Sequence, residues 1–360
     1  MTTMSTTTPV TATGEAARAR SRELEIELQR HPGRFRVLTG DRPTGRLHVG
    51  HLFGTLANRV RLQDLGVEVM VLIADYQTIT DRESPATLPA DVLGLVADYL
   101  AVGIDPERST IFAHSQVAAL NQLLLPFLSL VSVADLARNP TVKEEFAATG
   151  GAAMSALMFT YPVHQAADIL FCHANLVPVG QDQLPHIELT RTIARRFNDR
   201  YAPASPYFPE PDGLLSRAPL LLGLDGRKMS KSRGNAIDLA ASEDETARLI
   251  RAARTDPERH VSYEPDRRPE VANLVLLAAL CLERTPQDVA AEIGAAGAAG
   301  LKRLVTEALN ERLRPVRQRR RELAGDPAHL QRVLAAGTSR ACDIAAATLS
   351  DVRGLMHNGY

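Results

Sequence analysis

Apolar positions along this chain follow two different rhythms. Up to about residue 240, short apolar runs alternate with stretches at helical spacing; beyond it only helical spacing remains. Phe35, Val37 and Leu38 lead into a glycine-rich turn, and Val49, Leu52, Phe53, Leu56 and Val60 leave it three or four residues apart. That pattern predicts a strand over Arg34–Thr39, a turn, and a helix to about Leu65. Gly66 breaks the helix, and Val67–Asp75 is almost continuously apolar, as a central parallel strand covered on both faces should be. Strand, helix and strand make a βαβ unit. Further strands are expected over Ser109–His114, Leu176–Gly180 and Pro219–Leu224. Helices are expected over Glu15–Arg30, Ala90–Val102, Val117–Leu136, Ser155–Ile169 and Leu184–Phe197. Asn139–Glu145 reads as a charged break and Tyr201–Asp212 as a proline-rich loop.

From Ser242 the chain is helix after helix. Ser242-x-x-Glu245 has the form of a capping box, and Thr285-Pro286 and Asp326-Pro327 each place a capping side chain before a proline. The expected fold class is α/β: a Rossmann-like, doubly wound parallel sheet with a C-terminal all-helical domain. Three segments follow: 1–33, a tail (disordered over 1–14) and a helix; 34–238, the α/β body; and 239–360, the helical domain.

Composition narrows the classes. The 360 residues are 45% hydrophobic and 23% charged, ordinary for a globular chain, with a formal net charge of −1. No overall basic field draws this protein to nucleic acid, so a polyanionic partner needs local basic patches. The three cysteines, Cys172, Cys281 and Cys342, are far apart, which argues against a disulfide framework, a structural zinc or an iron–sulfur cluster. No apolar run is long enough to span a membrane, and the Thr-rich start has no secretory hydrophobic region. A cytoplasmic protein is expected.

Candidate chemistry lies in two turns. Thr39–His51 carries Gly40, Arg42, Gly45, His48, Gly50 and His51, at the point where a strand hands over to a helix. A helix N-terminus offers free N–H groups and a positive dipole end, which suit phosphate. Alone, His48-x-Gly50-His51 reads equally well as two surface histidines. Lys228-Met229-Ser230-Lys231-Ser232 sits between Gly226 and Gly234 and puts two ammonium groups three residues apart. Ammonium groups are compact phosphate ligands.

Together the two turns resemble the paired signature of class I aminoacyl-tRNA synthetases. The middle of the chain is more specific. Phe159–Leu170 with Tyr161, Gln165 and Asp168, then Val177-Pro178-Val179-Gly180-Gln181-Asp182-Gln183, then His186–Arg191, is similar to the tryptophanyl-tRNA synthetase family. The opening Gly40-Asp41-Arg42-Pro43-Thr44-Gly45 resembles its divergent, auxiliary-type bacterial members.

The resemblance implies activation of tryptophan by ATP, with Mg2+ accompanying the nucleotide and no structural metal. Transfer to tRNA(Trp) follows, on a homodimer, without hydrolytic editing. It implies that His48, His51, Lys228 and Lys231 are catalytic. ATP would be held by Gly40, Arg42, His48, Gly50, His51, Gly180, Asp182, Lys228, Met229, Ser230, Lys231 and Ser232. Asp168 would accept the indole N–H, Tyr161 and Gln183 would hold the α-amino group, and Gly40, Gln77 and Gln165 would complete that pocket. A carboxylate nucleophile needs no general base, so positioning and phosphoryl-charge stabilisation should carry catalysis.

Several residues depart from the family pattern. Arg42 stands where Gln is common, Gln77 where His is, Gln165 where Met is, and Gln181 where Glu is. Gln165 three before Asp168 is also similar to tyrosyl-tRNA synthetases, so a tyrosine ligase stays open. So does a non-catalytic, tryptophan-binding paralogue. A cofactor-synthesis adenylyltransferase fits less well, because the lysine turn and the long helical C-terminus are present. Arg312, Arg314, Arg317, Arg319, Arg320 and Arg321 form the strongest basic cluster, read either as a tRNA contact or as a solvated helix face.

Overall fold

Five parallel strands form the centre of the molecule: β1 (Arg36–Asp41), β2 (Glu68–Ile73), β3 (Ser109–Ala113), β4 (Leu176–Val179) and β5 (Asp212–Leu215). Their order is β3-β2-β1-β4-β5. The structure is a computed structural model describing residues 10–79, 86–148, 154–216, 220–230 and 233–359. Pairing is parallel throughout, with Val37 opposite Val69 on one side and Leu176 on the other. The unbroken apolar run of β2 has a direct reason. Val69, Val71 and Ile73 enter one buried cluster, and Met70 and Leu72 enter the other, so both faces are covered. Strand order reverses between β1 and β4, and the crevice beyond their carboxyl ends is where such sheets bind ligands.

The helices bring the site's residues to that crevice. α1 (Val10–Arg30) lies along β5, where Leu215 N–H donates to Ser21 Oγ (3.0 Å) and Arg20 pairs with Asp212 (2.8 Å). The turn after β1 opens into α2 (Val49–His51), a π-helical turn over Leu52–Leu56, and α3 (Ala57–Leu65). α4 (Leu88–Val102), α5 (Ala118–Gln122), α6 (Leu124–Leu128), α7 (Val133–Arg138), α8 (Pro140–Ala148), α9 (Ala156–Leu170) and α10 (Leu184–Tyr201) follow. The C-terminal part holds α11 (Glu243–Ala252), α12 (Pro269–Leu282), α13 (Pro286–Ile293), α14 (Gly297–Ala324) and α15 (Pro327–Leu355). One apolar cluster runs from Leu24 through Val71 to Leu274, Leu309 and Leu334, so these helices pack on the sheet layer itself.

Several expectations need correction. Pro219–Leu224 is not a strand: its described residues contribute only an isolated bridge, Leu222 to Lys228. The fifth strand is Asp212–Leu215, whose Asp-Gly start reads as loop until it pairs with Leu176–Val179. The charged break Asn139–Glu145 lies largely in α8, because Asn139 Oδ1 accepts the Thr141 N–H at the helix start (3.0 Å). Val117–Leu136 is three short helices, broken at Leu123, three residues before Pro126, and again after Leu128, and restarted where Ser132 Oγ accepts the Asp135 N–H (3.1 Å). The helix read from Glu15 begins at Val10, inside the expected tail. All three C-terminal caps form: Ser242 to Glu245, Thr285 to Asp288 and Asp326 to His329.

Candidate active site

The crevice at the carboxyl ends of β1 and β4 contains two adjoining spaces. The inner cavity, about 470 Å³, takes its walls from β1, β4 and α9. The outer cleft, about 920 Å³, is bounded by the turn before α2, the Gly180–Asp182 turn, α1 and the lysine loop. Thr39, Thr55, Val179 and Gly180 line both, so the two spaces share a wall.

The signature turn is held from both sides. Val49 N–H donates to Ile237 O (2.9 Å) and Leu239 N–H to Leu47 O (3.0 Å), which laces the segment after the lysine loop onto the turn. Leu47 N–H donates to Asp98 Oδ2 (3.2 Å). His48 N–H donates to His51 Nδ1 (3.2 Å). A neutral His51 ring therefore carries its proton on Nε2, as a donor. The His48 and His51 rings lie 3.8 Å apart. Gly50 is glycine for space: a Cβ there would come within 3.0 Å of the His48 ring and of Met229 Sδ. Gly40 is glycine for the same reason, since a Cβ would sit 2.3 Å from Leu72 O on β2.

In the lysine loop the organising residue is Asn235. Its Oδ1 accepts the Ser230 N–H (2.8 Å), and its Nδ2 donates to Asp225 Oδ1 (2.7 Å) and Lys228 O (3.2 Å). Lys228 and Met229 line the outer cleft. Ser230 does not, and Lys231 and Ser232 lie outside the described residues.

The buried end of the inner cavity is polar. Asp168 is 3% exposed. Gln77 Nε2 donates to Asp168 Oδ2 (3.2 Å) and stands 3.2 Å from His114 Nδ1. His114, fully buried, has its Nδ1 3.3 Å from Asp168 Oδ1. Burial pushes the Asp168 carboxyl well above the ordinary carboxylate range, against the Gln77 hydrogen bond. Burial, reinforced by neighbouring His164, lowers His114 to about 3, so it stays neutral. His164 is lowered by burial too, and its Nε2 lies 2.9 Å from Asn121 Oδ1.

A second chain of bonds crosses the same cavity. His186 Nδ1 is 2.7 Å from Gln165 Oε1, and its Nε2 is 3.1 Å from Tyr161 Oη. The amide oxygen can only accept, so the His186 proton sits on Nδ1, and Nε2 accepts from the Tyr161 hydroxyl. Burial holds His186 below the usual imidazole range, which keeps this tautomer neutral. The Tyr161 hydroxyl is thereby fixed in orientation within the cavity.

Among the residues singled out in the sequence, Gly40, Arg42, Gln77, Tyr161, Gln165, Asp168 and Gln183 line the inner cavity, while His48, Gly50, His51, Asp182, Lys228 and Met229 line the outer cleft. Gly180 lines both. Arg42, expected at the nucleotide, thus lines the inner cavity and not the outer cleft that holds His48, His51 and Lys228. Gln183 donates to Asp182 Oδ2 (3.1 Å).

Sequence reading missed His114, His186, Asn235 and a buried trio beneath the turn. Arg59, 2% exposed, donates to Asp41 Oδ2, to Thr39 Oγ1 (2.9 Å) and to Gly40 O (3.2 Å), and Tyr99 Oη donates to the same Asp41 oxygen (2.8 Å). The signal for it was an arginine on the apolar side of a helix beside an acidic residue at a strand end.

A sheet ordered 3-2-1-4-5, a strand–turn–helix carrying His48 and His51, and a lysine loop laced to it define a class I nucleotide-binding catalytic fold. The family model for class I tRNA synthetases (W and Y) matches residues 30–314, and the chain belongs to that family. It is 42% identical to the tryptophan–tRNA ligase of Streptococcus pyogenes serotype M1 over 338 residues, covering 90% of this chain and 98% of that one. Identity is 41%, with the same coverage, for the tryptophan–tRNA ligase of Streptococcus pneumoniae serotype 4. Tryptophanyl-tRNA synthetase from Campylobacter jejuni, solved with ADP and tryptophan, superposes with a TM-score of 0.76 at 29% identity, covering 89% of this chain and 99% of that one. Tyrosyl-tRNA synthetase from Archaeoglobus fulgidus, at 22% identity, 79% of this chain, 90% of that one and a TM-score of 0.62, shares the fold.

Proposed function

We propose that the chain is a tryptophan–tRNA ligase that forms tryptophanyl-adenylate from L-tryptophan and ATP and passes the tryptophanyl group to tRNA(Trp). The observation that carries this reading is the shared wall: a cavity with a buried carboxylate opens beside a cleft lined by His48, His51 and Lys228. Tryptophan occupies the inner cavity with its indole N–H on Asp168, held by Gln77 and faced by His114. Tyr161, oriented by His186, takes the α-amino group together with Gln183. The carboxylate then points across Thr39 and Gly180 into the cleft, where the α-phosphate of ATP lies.

Reaction follows from placement. The tryptophan carboxylate attacks the α-phosphate in line and pyrophosphate leaves. His51 Nε2–H and the lysines stabilise charge on the phosphoryl oxygens. Lys231 belongs to this set by the lysine pattern, outside the described residues. Mg2+ travels with the nucleotide, because the described cleft wall offers a single carboxylate, Asp182, and cannot cage the ion by itself. When bound, it neutralises phosphate charge.

Tryptophan is favoured over tyrosine by the relatives, and by the commitment of Gln165 to His186 rather than to a partner of Asp168. The helical part beyond residue 239 takes the anticodon arm in this reading, on a homodimer in the cytoplasm. Among the described residues no helix is long and apolar enough to cross a membrane. Charging of tRNA(Trp) with radiolabelled tryptophan tests the two-step reaction; tyrosylation of tRNA instead, or no charging with either amino acid, overturns it.

A further inference from the structure

The N-terminal helix α1 brings two cations to the outer cleft that no family feature accounts for. The family match begins at Arg30, the last residue of α1. α1 is nevertheless part of the molecule. Leu24 and Leu28 are buried in the main apolar cluster, Arg61 pairs with Glu25 (2.9 Å), Arg20 pairs with Asp212, and Ser21 accepts from β5. Gly14 lies against Gln181: a Cβ there would come 2.6 Å from its amide nitrogen. The helix is thus fixed beside the Gly180–Asp182 turn, and Arg18, Ser21 and Arg22 line the same cleft as His48, His51 and Lys228.

The charge pattern separates these two arginines from their neighbour. Arg20 is tied to Asp212, Glu23 and Glu27. Arg18 and Arg22, one helical turn apart and both exposed, make no ion pair or hydrogen bond among the described residues. Like charges four apart on a helix repel and disfavour it. An anion between them removes that repulsion, and guanidinium groups match phosphate geometry.

We propose that Arg18 and Arg22 are phosphate ligands of the active site, holding a phosphate of one of the reaction's own substrates, either the ATP triphosphate or the backbone at the acceptor end of the tRNA. The proposal takes its substrates from the function proposed above. Both sources present the same chemistry, and they separate by assay.

The test uses the full chain carrying Arg18→Gln/Arg22→Gln, the charge-preserving Arg18→Lys/Arg22→Lys, and Arg30→Gln as a control at the far end of α1, outside the cleft. Three quantities are measured: KM for ATP in tryptophan-dependent pyrophosphate exchange without tRNA, KM for tRNA(Trp) in aminoacylation, and Kd for ATP by equilibrium dialysis. Losing two charge-assisted contacts should raise one KM on the order of tenfold, with kcat and the melting temperature little changed. The lysine pair should recover most of the loss, and Arg30→Gln should resemble the unaltered protein. A rise in KM and Kd for ATP assigns the pair to the nucleotide. A rise in KM for tRNA alone assigns it to the acceptor end. If the glutamine pair matches the unaltered protein in all three quantities, the proposal is wrong. If the unaltered protein shows no exchange, the functional reading has failed instead, and the ATP Kd ratio still decides for or against an ATP contact.

Discussion

Asp98 in α4 accepts the backbone N–H of Leu47, the residue immediately before His48 (3.2 Å), and its other oxygen accepts from Arg320 Nε of α14. Asp98 is 1% exposed and Arg320 is largely covered. A C-terminal helix therefore reaches the signature turn through one buried carboxylate. Arg320→Gln removes this counter-charge from the buried carboxylate and should destabilise the fold by about 2–4 kcal/mol, near the lower end for broken buried pairs because Arg320 keeps some solvent contact. Asp98→Asn/Arg320→Gln should lose at least about 1 kcal/mol less than the sum of the single changes. Denaturant unfolding measures both, and strict additivity would break the link.

If Asp168 accepts the indole N–H as proposed, tryptophan binding should depend on pH. Its neutral form persists further up the pH scale than that of an exposed aspartate, because burial raises its pKa. The indole N–H bonds more strongly to the ionised form. Tryptophan affinity should therefore rise with pH until Asp168 ionises in the free enzyme, then level off. His114, lowered to about 3, stays neutral and adds no opposing limb at assay pH. The stability effect has the opposite sense: the neutral, buried Asp168 contributes stability at low pH, and this is lost as pH rises through its folded-state pKa. Asp168→Asn should flatten the affinity profile and raise the tryptophan KM by about 10- to 100-fold, the range for a hydrogen bond to a charged group. A profile unchanged by the substitution would remove Asp168 from indole recognition.

His186 orients Tyr161 without lining the nucleotide cleft. His186→Phe keeps the ring and loses both hydrogen bonds. The tryptophan KM should rise about tenfold, the worth of one to two neutral hydrogen bonds, with KM for ATP unchanged. Steady-state exchange kinetics separate the two constants, and an equal rise in both would mean that His186 supports the fold rather than the amino-acid site.

The trio beneath the turn is a stability element. Burial opposes ionisation of Asp41, and the Arg59 guanidinium more than offsets it, with His51 and Tyr99 assisting, so the carboxyl lies below its ordinary range. Its contribution is present above the ordinary aspartate pKa and lost as pH falls through the depressed value. Arg59→Met should cost about 3–5 kcal/mol, as expected when one member of a buried pair is removed. Thermal unfolding at neutral pH reads this directly, and a change below about 1 kcal/mol would show that the pair is not holding the β1 end.

The sheet was legible wherever a strand was covered on both faces, as at Val69–Ile73, or led into a signature turn. β5 was not, because Asp212-Gly213 carries turn chemistry and becomes a strand only by pairing with β4. Motif residues that line the two spaces were legible by resemblance; the residues that orient them were not. Asn235, His186 and His114 act through partners far away in the chain, and spacing holds no trace of those contacts. The arginine cluster shows the same limit. Arg317 is buried and bonded to Asn310 and Thr246, and Arg320 to Asp98, while Arg314 pairs with Glu311. Arg312 pairs with Glu283 as well (3.6 Å), so four of the six arginines of the apparent basic patch are internal or paired, which periodicity alone does not reveal.

The most direct test of the central claim is ATP–pyrophosphate exchange, run with tryptophan and with tyrosine as the only amino acid. A pocket that pairs Asp168 with an indole N–H predicts exchange with tryptophan and, at matched concentration, a lower kcat/KM for tyrosine, whose hydroxyl can still donate to a carboxylate but whose ring does not fill an indole-sized cavity. Exchange supported better by tyrosine, or absent with both, would contradict the account.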